Sequence, residues 1–143
     1  MATLSLSRAR TIISKAFLAG KDRDLKPLSV AVLDAGGHLK AFERQDGASI
    51  ARFQIAFGKA YGALALGMGS RAIMARAETQ AYFVNAVAGA LGGALVPVPG
   101  GVLIKAKNGE ILGAVGVTGD SSDNDEAAAV AAIEAVGCDA ETG

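Results

Sequence analysis

The sequence is poor in the residues that carry most protein chemistry. It contains one cysteine, one histidine and no tryptophan among 143 residues. A lone Cys138 excludes an internal disulfide framework and a multi-cysteine zinc site. One histidine cannot build a multi-histidine site for zinc or non-haem iron. We therefore expect no zinc cofactor, and the scarcity of cysteine suits a cytoplasmic protein.

The chain also lacks an excess of charge and a long apolar run. Fourteen basic and fourteen acidic side chains cancel, so there is no basic face to bind nucleic acid or an anionic membrane by counterion release. No run approaches the roughly 18 apolar residues of a membrane span, and Arg8 comes too early for a secretory signal. We expect a single cytoplasmic domain over residues 1–143, with neither nucleic acid nor membrane as a partner.

What the chain does have is small, apolar residues. Hydrophobic residues make up 51% of it and aromatic residues only 5%, and there are 19 glycines. Small residues allow a helix and a sheet to approach closely, but they leave apolar surface thinly covered. Such surface is often hidden in symmetric assemblies, so we expect a homo-oligomer, a dimer or larger.

Periodic apolar positions predict the elements of the first half. A helix begins near Ser5 or Ser7, either of which could be its cap, and stops at Gly20. Residues 28–34 form a buried strand, and residues 38–44 form its hairpin partner after a Gly-Gly turn. Ser49 caps a second helix that Gly67 ends, and helical character resumes at residue 70 and continues to about residue 91.

The second half predicts another hairpin and a last helix. Asn108-Gly109 is a strong hairpin turn between strands at 101–107 and 110–118. The last helix ends at Gly137, and residues 138–143 are expected to fray. The order is α-β-β-α-α-β-β-α. Two separate hairpins indicate an antiparallel sheet with helices packed on it, an α/β fold of the α+β type, rather than a doubly wound parallel sheet.

Few side chains are candidates for chemistry. His38 could be a general acid or base or an axial haem ligand, or simply a polar residue opening an edge strand. Asp46 and Gly47 precede a helix whose amino end could receive an anion, although an Asp-Gly turn needs no ligand. Lys59 lies among small apolar residues, where it could act as a nucleophile, or could extend along the helix to solvent.

Glycine-rich segments supply the remaining candidates. Gly100 and Gly101 could bring backbone N–H groups against a ligand, or could form a tight turn. Thr118 and Gly119 end a strand where a loop could meet a ligand. The spacing of residues 113–119 is not the dinucleotide fingerprint, and we expect neither a nicotinamide nor a flavin cofactor. The acidic run at 120–126 lacks the spacing of a calcium loop, and helix capping with the helix dipole explains it.

Several of these segments together resemble one family. They are VLDAGGHL at 32–39, RQDGA at 44–48, KA at 59–60, PGGV at 99–102, GAVGVTG at 113–119 and DNDE at 123–126. In this order they resemble the GlcG/HbpS family, which includes the haem-binding C-terminal domain of PduO-type adenosyltransferases. The resemblance implies a five-stranded antiparallel sheet flanked by helices, similar to profilin or PAS domains, and a homo-oligomer. The fifth strand would come from residues 94–98 or from splitting one of the four.

For function, the resemblance implies a small-molecule ligand, with haem binding or haem degradation first. His38 would then be the candidate ligand of the haem iron, and Arg44 and Lys59 would pair with propionates or with a substrate's carboxylates. One alternative is an enzyme of a catabolic operon acting on a small carboxylic acid. Its pocket would lie between Asp46-Gly47, Lys59, Gly100-Gly101 and Gly119, with Asp46 or His38 moving a proton. A non-catalytic scaffold is the other alternative.

Overall fold

A computed structural model describes residues 3–143. Its helices are α1 (Leu6–Asp22), α2 (Arg52–Leu66), α3 (Ser70–Thr79), α4 (Ala81–Ala90) and α5 (Ser122–Ala135). Its strands are β1 (Ser29–Asp34), β2 (Leu39–Arg44), β3 (Gly101–Lys105), β4 (Ile111–Thr118) and β5 (Asp139–Glu141). The strands form one antiparallel sheet in the order β2-β1-β4-β3-β5. The predicted α+β fold with a five-stranded antiparallel sheet is confirmed.

The fifth strand does not lie where the sequence analysis placed it. Residues 94–98 form no strand, and no other strand is split. Instead β5 comes from the segment expected to fray, and it pairs with β3. Ion pairs of Lys105 with Glu141 and of Lys107 with Asp139 also link β5 to the β3–β4 hairpin. A three-residue strand is too short to show a periodic pattern, so only its pairing reveals it.

Two helix boundaries also differ from the prediction. Ser5 caps α1 as expected, because its Oγ accepts a hydrogen bond from the Arg8 N–H at 3.1 Å. The helix nevertheless continues past Gly20, whose missing side chain leaves room for Leu28. Ser49 does not cap α2, which has Ala51 at its boundary and no side-chain cap. The Ser49 hydroxyl instead accepts a hydrogen bond from Arg52 Nε at 3.0 Å.

The two faces of the sheet bury different cores. On one face α1 and α5 pack with large branched side chains, among them Ile12, Ile13, Val30, Val115 and Ile133. On the other face α2 packs with a smaller set, Leu33, Ala60, Ala63, Leu103 and Ala114. Small residues on this face let the α2 backbone approach β4 closely, and this approach brings the polar groups of α2 against the end of the sheet.

The turn into α5 is built on Asp120. Its carboxylate accepts hydrogen bonds from Asn124 Nδ2 at 2.8 Å, from the Lys26 N–H at 2.9 Å and from the Ser121 N–H at 2.8 Å. These bonds, that from Asn124 foremost, lower the pKa of Asp120 to about 2 from its ordinary 3.8. The charged form is therefore favoured in the folded protein.

This shift makes a prediction about stability in acid. Because the folded pKa of Asp120 is lowered, its contribution is fully present above the unfolded value of 3.8 and is lost as the pH falls towards 2. We expect Asp120→Asn to lower the free energy of unfolding more at pH 5 than at pH 2.5, measured by urea denaturation. An equal loss at both pH values would contradict the assignment.

Candidate functional site

The candidate residues from the sequence fall at two opposite ends of the sheet. At one end Ser29 of β1 pairs with Arg44 of β2 and Thr118 of β4. At the other end Asp34 of β1 leads into the turn that carries His38. Five steps of about 3.3 Å along β1 put these ends roughly 17 Å apart. A single small ligand therefore cannot contact both His38 and Thr118.

The His38 end is an exposed turn ordered by Asp34. The Asp34 Oδ1 atom accepts hydrogen bonds from the N–H groups of Gly36 and His38, each at 3.0 Å. The same oxygen lies 3.2 Å from His38 Nδ1, and the imidazole is 82% exposed. Burial raises the pKa of Asp34, but the backbone hydrogen bonds and the imidazole lower it by more. The pKa of Asp34 therefore lies below its ordinary value. The turn thus presents an oriented imidazole to solvent.

A row of aromatic rings leads from the middle of β2 to this turn. Phe42 packs edge-on against Phe53 at 4.9 Å between ring centroids, Phe53 lies 5.8 Å from Phe57, and Phe57 stacks on Tyr61 at 5.4 Å. We call these four residues the aromatic row. Each is only partly buried. Its last ring, Tyr61, lies 3.0 Å from the point where a Cβ of Gly37 would be.

The other end of the sheet contains a buried ion pair. Lys59 of α2 and Asp125 of α5 are each 2% exposed, and Lys59 Nζ lies 3.1 Å from Asp125 Oδ2. Lys59 also donates to the Val117 carbonyl oxygen at 2.9 Å, and Asp125 Oδ1 accepts from the Asp120 N–H at 2.9 Å. Burial lowers the pKa of Lys59 and raises that of Asp125, and the attraction between them opposes both shifts. The pair joins α2, β4 and α5.

Gly100 and Gly101 enclose this pair. Gly100 has a φ of 123°, and a Cβ there would lie 2.8 Å from Lys59 Nζ. A Cβ on Gly101 would overlap the Lys59 carbonyl oxygen. Ser70 closes the other side, since its hydroxyl accepts from the Gly101 N–H at 2.7 Å. These glycines bring the chain against Lys59, so Lys59 does not extend to solvent.

Arg52 lies beside the ion pair at the start of α2. Its Nη1 donates to Thr118 Oγ1 at 2.7 Å, and the guanidinium is partly buried. Its charge opposes that of Lys59 and contributes to the lowered pKa of Lys59. Thr118 itself is 1% exposed. In this structure the Thr118 hydroxyl is therefore buried and bonded to an arginine.

The remaining predicted residues lie around an open cleft of about 680 Å³. Arg44 and Asp46 line it together with Lys21, Pro27 and Phe17. Arg44 Nη1 donates to the Ala48 carbonyl oxygen at 2.9 Å, which holds the turn before α2. Gly47 and Gly119 both pack against Pro27 at the rim. This cleft is on the α1 side of β2, away from Lys59. Arg44 lies at its edge, since it is two residues from Phe42 on β2 and its side chain is on the α2 face with that of Phe42.

Comparison with known protein families identifies the family of this chain. A profile described as haem degrading protein HbpS-like matches residues 4–134. The chain belongs to the HbpS-like family. Comparison with curated proteins gives no match.

Solved structures similar to this HbpS-like chain share its fold. A PduOC:heme complex has a TM-score of 0.85 at 22% identity, over 96% of this chain and 97% of that one. Klebsiella pneumoniae protein ORFY has a TM-score of 0.82 at 21% identity, over 94% and 91%. A double mutant of Streptomyces reticuli HbpS has a TM-score of 0.78 at 24% identity, over 95% and 88%.

Two kinds of feature are absent from residues 3–143 of the HbpS-like chain. No helix in this range is both long and apolar enough to cross a membrane. Nor does the range hold three or more His, Cys, Asp or Glu side chains grouped so that they could bind a metal ion.

Sequence reasoning missed three residues of this HbpS-like chain. Asp125 looked like an acidic residue of a helix start, and Ser121 does cap α5, but Asp125 is also the buried partner of Lys59. Arg52 and Ser29 carried no signal of their own. A hydrophobic helix containing one lysine, followed by an acidic segment, could have indicated the ion pair, because a buried charge needs a partner.

Proposed function

We propose that this HbpS-like protein binds haem on the aromatic row, with His38 as the axial ligand of the iron. The family description and the PduOC:heme complex support a haem-related or small-ligand-binding role. The observation that carries the finer proposal is that the aromatic row ends at the turn that bears His38. Gly36 borders the imidazole, and Gly37 borders Tyr61.

The chemistry of these residues fits haem. His38 Nδ1 lies 3.2 Å from Asp34 Oδ1, and this contact would hold the ring with Nε2 free for the iron, as carboxylate partners do for metal-bound histidines. The aromatic row supplies an apolar surface for the flat macrocycle. Arg44 follows Phe42 by two residues on β2, hence on the same face, where it can pair with a propionate. Lys59 is buried and bonded, so we assign it no contact with haem.

The proposal predicts a spectral change on substitution of His38. Haem added to the wild-type protein should give a saturable Soret band. In His38→Ala the affinity should fall about tenfold or more and the band should shift, because iron loses its nitrogen ligand. Phe57→Leu should weaken binding while leaving the position of the band unchanged, since it alters the surface and not the ligand.

Two results would contradict this assignment. An unchanged Soret band in His38→Ala would remove His38 as the ligand, and the absence of a band in the wild-type protein would remove haem. Lys107→Ala is the control, because Lys107 is exposed and lies in the turn between β3 and β4, outside the proposed surface. Its titration should superimpose on that of the wild-type protein.

A further inference from the structure

Ser29 lies on the face of the sheet that packs against α2. Ser29 is directly opposite both Arg44 and Thr118 in the sheet, and residues directly opposite share a face. Thr118 contacts Arg52 of α2, so this is the α2 face. The side chains of Arg44, Ser29 and Thr118 therefore form a short row across three strands at the amino end of α2.

Ser29 is a buried polar group without a partner. It is 0% exposed, and within residues 3–143 its Oγ is the single buried side-chain nitrogen or oxygen that makes no hydrogen bond. Native structures satisfy nearly all such groups, because an unmet hydroxyl costs about 1–3 kcal/mol. A ligand that accepts a hydrogen bond from Ser29 would remove this cost.

The charges next to Ser29 do not balance. Arg52 donates to the hydroxyls of Thr118 and Ser49, and among residues 3–143 no carboxylate lies within 4.0 Å of its guanidinium. The neighbouring Lys59 already takes Asp125 as its partner. The cluster of Arg52, Lys59 and Asp125 thus carries one excess positive charge in a largely buried setting.

The amino end of α2 adds to this potential. The helix has 15 residues and its boundary residue, Ala51, offers no side-chain acceptor. The N–H groups of Phe53 and Gln54 in the first turn are therefore not capped by a side chain. Such N–H groups and the helix dipole favour a negative charge.

From these observations we infer that the amino end of α2 binds a small carboxylate, a monoanion held by Arg52 and the hydroxyls of Ser29 and Thr118. The carboxylate replaces Thr118 Oγ1 as the acceptor for Arg52, and the Thr118 O–H donates to the carboxylate. A guanidinium and a carboxylate match as a two-pronged pair. None of the three residues that hold the carboxylate is assigned to haem, although Arg44 of the haem proposal lies opposite Ser29, and His38 lies at the far end of β1.

Titration with sodium lactate and sodium acetate, followed by amide ¹H–¹⁵N NMR at constant ionic strength, tests this inference. We expect saturable shifts that centre on Phe53 and Gln54. Arg52→Gln should weaken binding about tenfold or more, the loss typical of a charge-assisted pair. Ser29→Ala should weaken it about threefold to tenfold. Arg10→Gln, an exposed arginine on the other face of the sheet, is the matched control and should bind as the wild-type protein does.

Other outcomes would overturn the inference. Shifts that do not saturate, or that centre away from α2, would show that neither carboxylate has a site there. Wild-type affinity in both Arg52→Gln and Ser29→Ala would do the same. Sodium phosphate binding at Phe53 and Gln54 more tightly than either carboxylate would overturn the carboxylate class. If Arg52→Gln loses its dispersed spectrum, Ser29→Ala decides, since the hydroxyl it removes bonds to nothing in the fold. His38→Ala should leave lactate binding unchanged.

Discussion

Replacing Lys59 by methionine is expected to lower the free energy of unfolding by about 3–5 kcal/mol. Methionine fills most of the volume, but it leaves the Asp125 carboxylate buried without its cation. Burial already raises the pKa of Asp125, and the loss of Lys59 would raise it further. Urea denaturation at pH 7, with the free energy extrapolated to water, measures the loss.

The double variant Lys59→Met with Asp125→Asn distinguishes the contribution of the ion pair to stability from that of side-chain packing. Removing both charges should recover about 2 kcal/mol or more of that loss, because no unpaired ion remains. Asparagine keeps an oxygen for the Asp120 N–H. Lys107→Met, which breaks an exposed ion pair, is the control and should leave the denaturation midpoint unchanged. Additive losses in the double variant would show that Lys59 and Asp125 are not coupled.

The second large effect is expected from Gly116→Ala. A Cβ on Gly116 would overlap the Ala56 carbonyl oxygen and lie 3.1 Å from the Ala60 nitrogen. Both are backbone atoms of α2, so the whole helix would have to move away from β4. We expect a loss of about 3 kcal/mol, the upper range for overpacking a core, in the free energy of unfolding measured with urea.

Gly89→Ala is the matched control for that substitution. Gly89 lies in α4, and a Cβ there would meet nothing within 4 Å. The same change should therefore stabilise the protein slightly, by about 0.5 kcal/mol, because alanine favours a helix over glycine. A destabilisation of similar size in both variants would show that the effect at Gly116 is not steric.

The elements with strong local signals were predicted correctly. The Asn108-Gly109 turn and the Gly36-Gly37 turn do join hairpins, because a tight turn requires particular residues whatever surrounds it. The strand β5 had no such signal, and its pairing with β3 depends on residues far apart in the chain. Ser49 does not cap α2 because the helix begins at Arg52 with Ala51 at the cap position, and the Ser49 hydroxyl accepts from Arg52 Nε instead.

The grouping of the candidate residues in space was predicted in part, while their role in binding stays a prediction. Lys59, Gly100, Gly101 and Thr118 do come together, around the ion pair with Asp125. His38 was grouped with the same pocket in the enzyme alternative, but it lies at the opposite end of β1. The error arose because His38 and Arg44 are only six residues apart in the sequence. These residues form an extended strand, so the two side chains lie at opposite ends of the sheet.

The sequence by itself determined the α+β class, the two central hairpins, the absence of a multi-cysteine site and the family resemblance. Each follows from local spacing or from composition, which need no knowledge of the rest of the chain. Only the tertiary structure decided that Lys59 is buried against Asp125, that Ser29 is left without a partner on the α2 face, and that the aromatic row ends at the turn bearing His38. These contacts depend on how α2 and α5 pack on the sheet. Which side chains are buried, and which groups they bond to, is set by that packing.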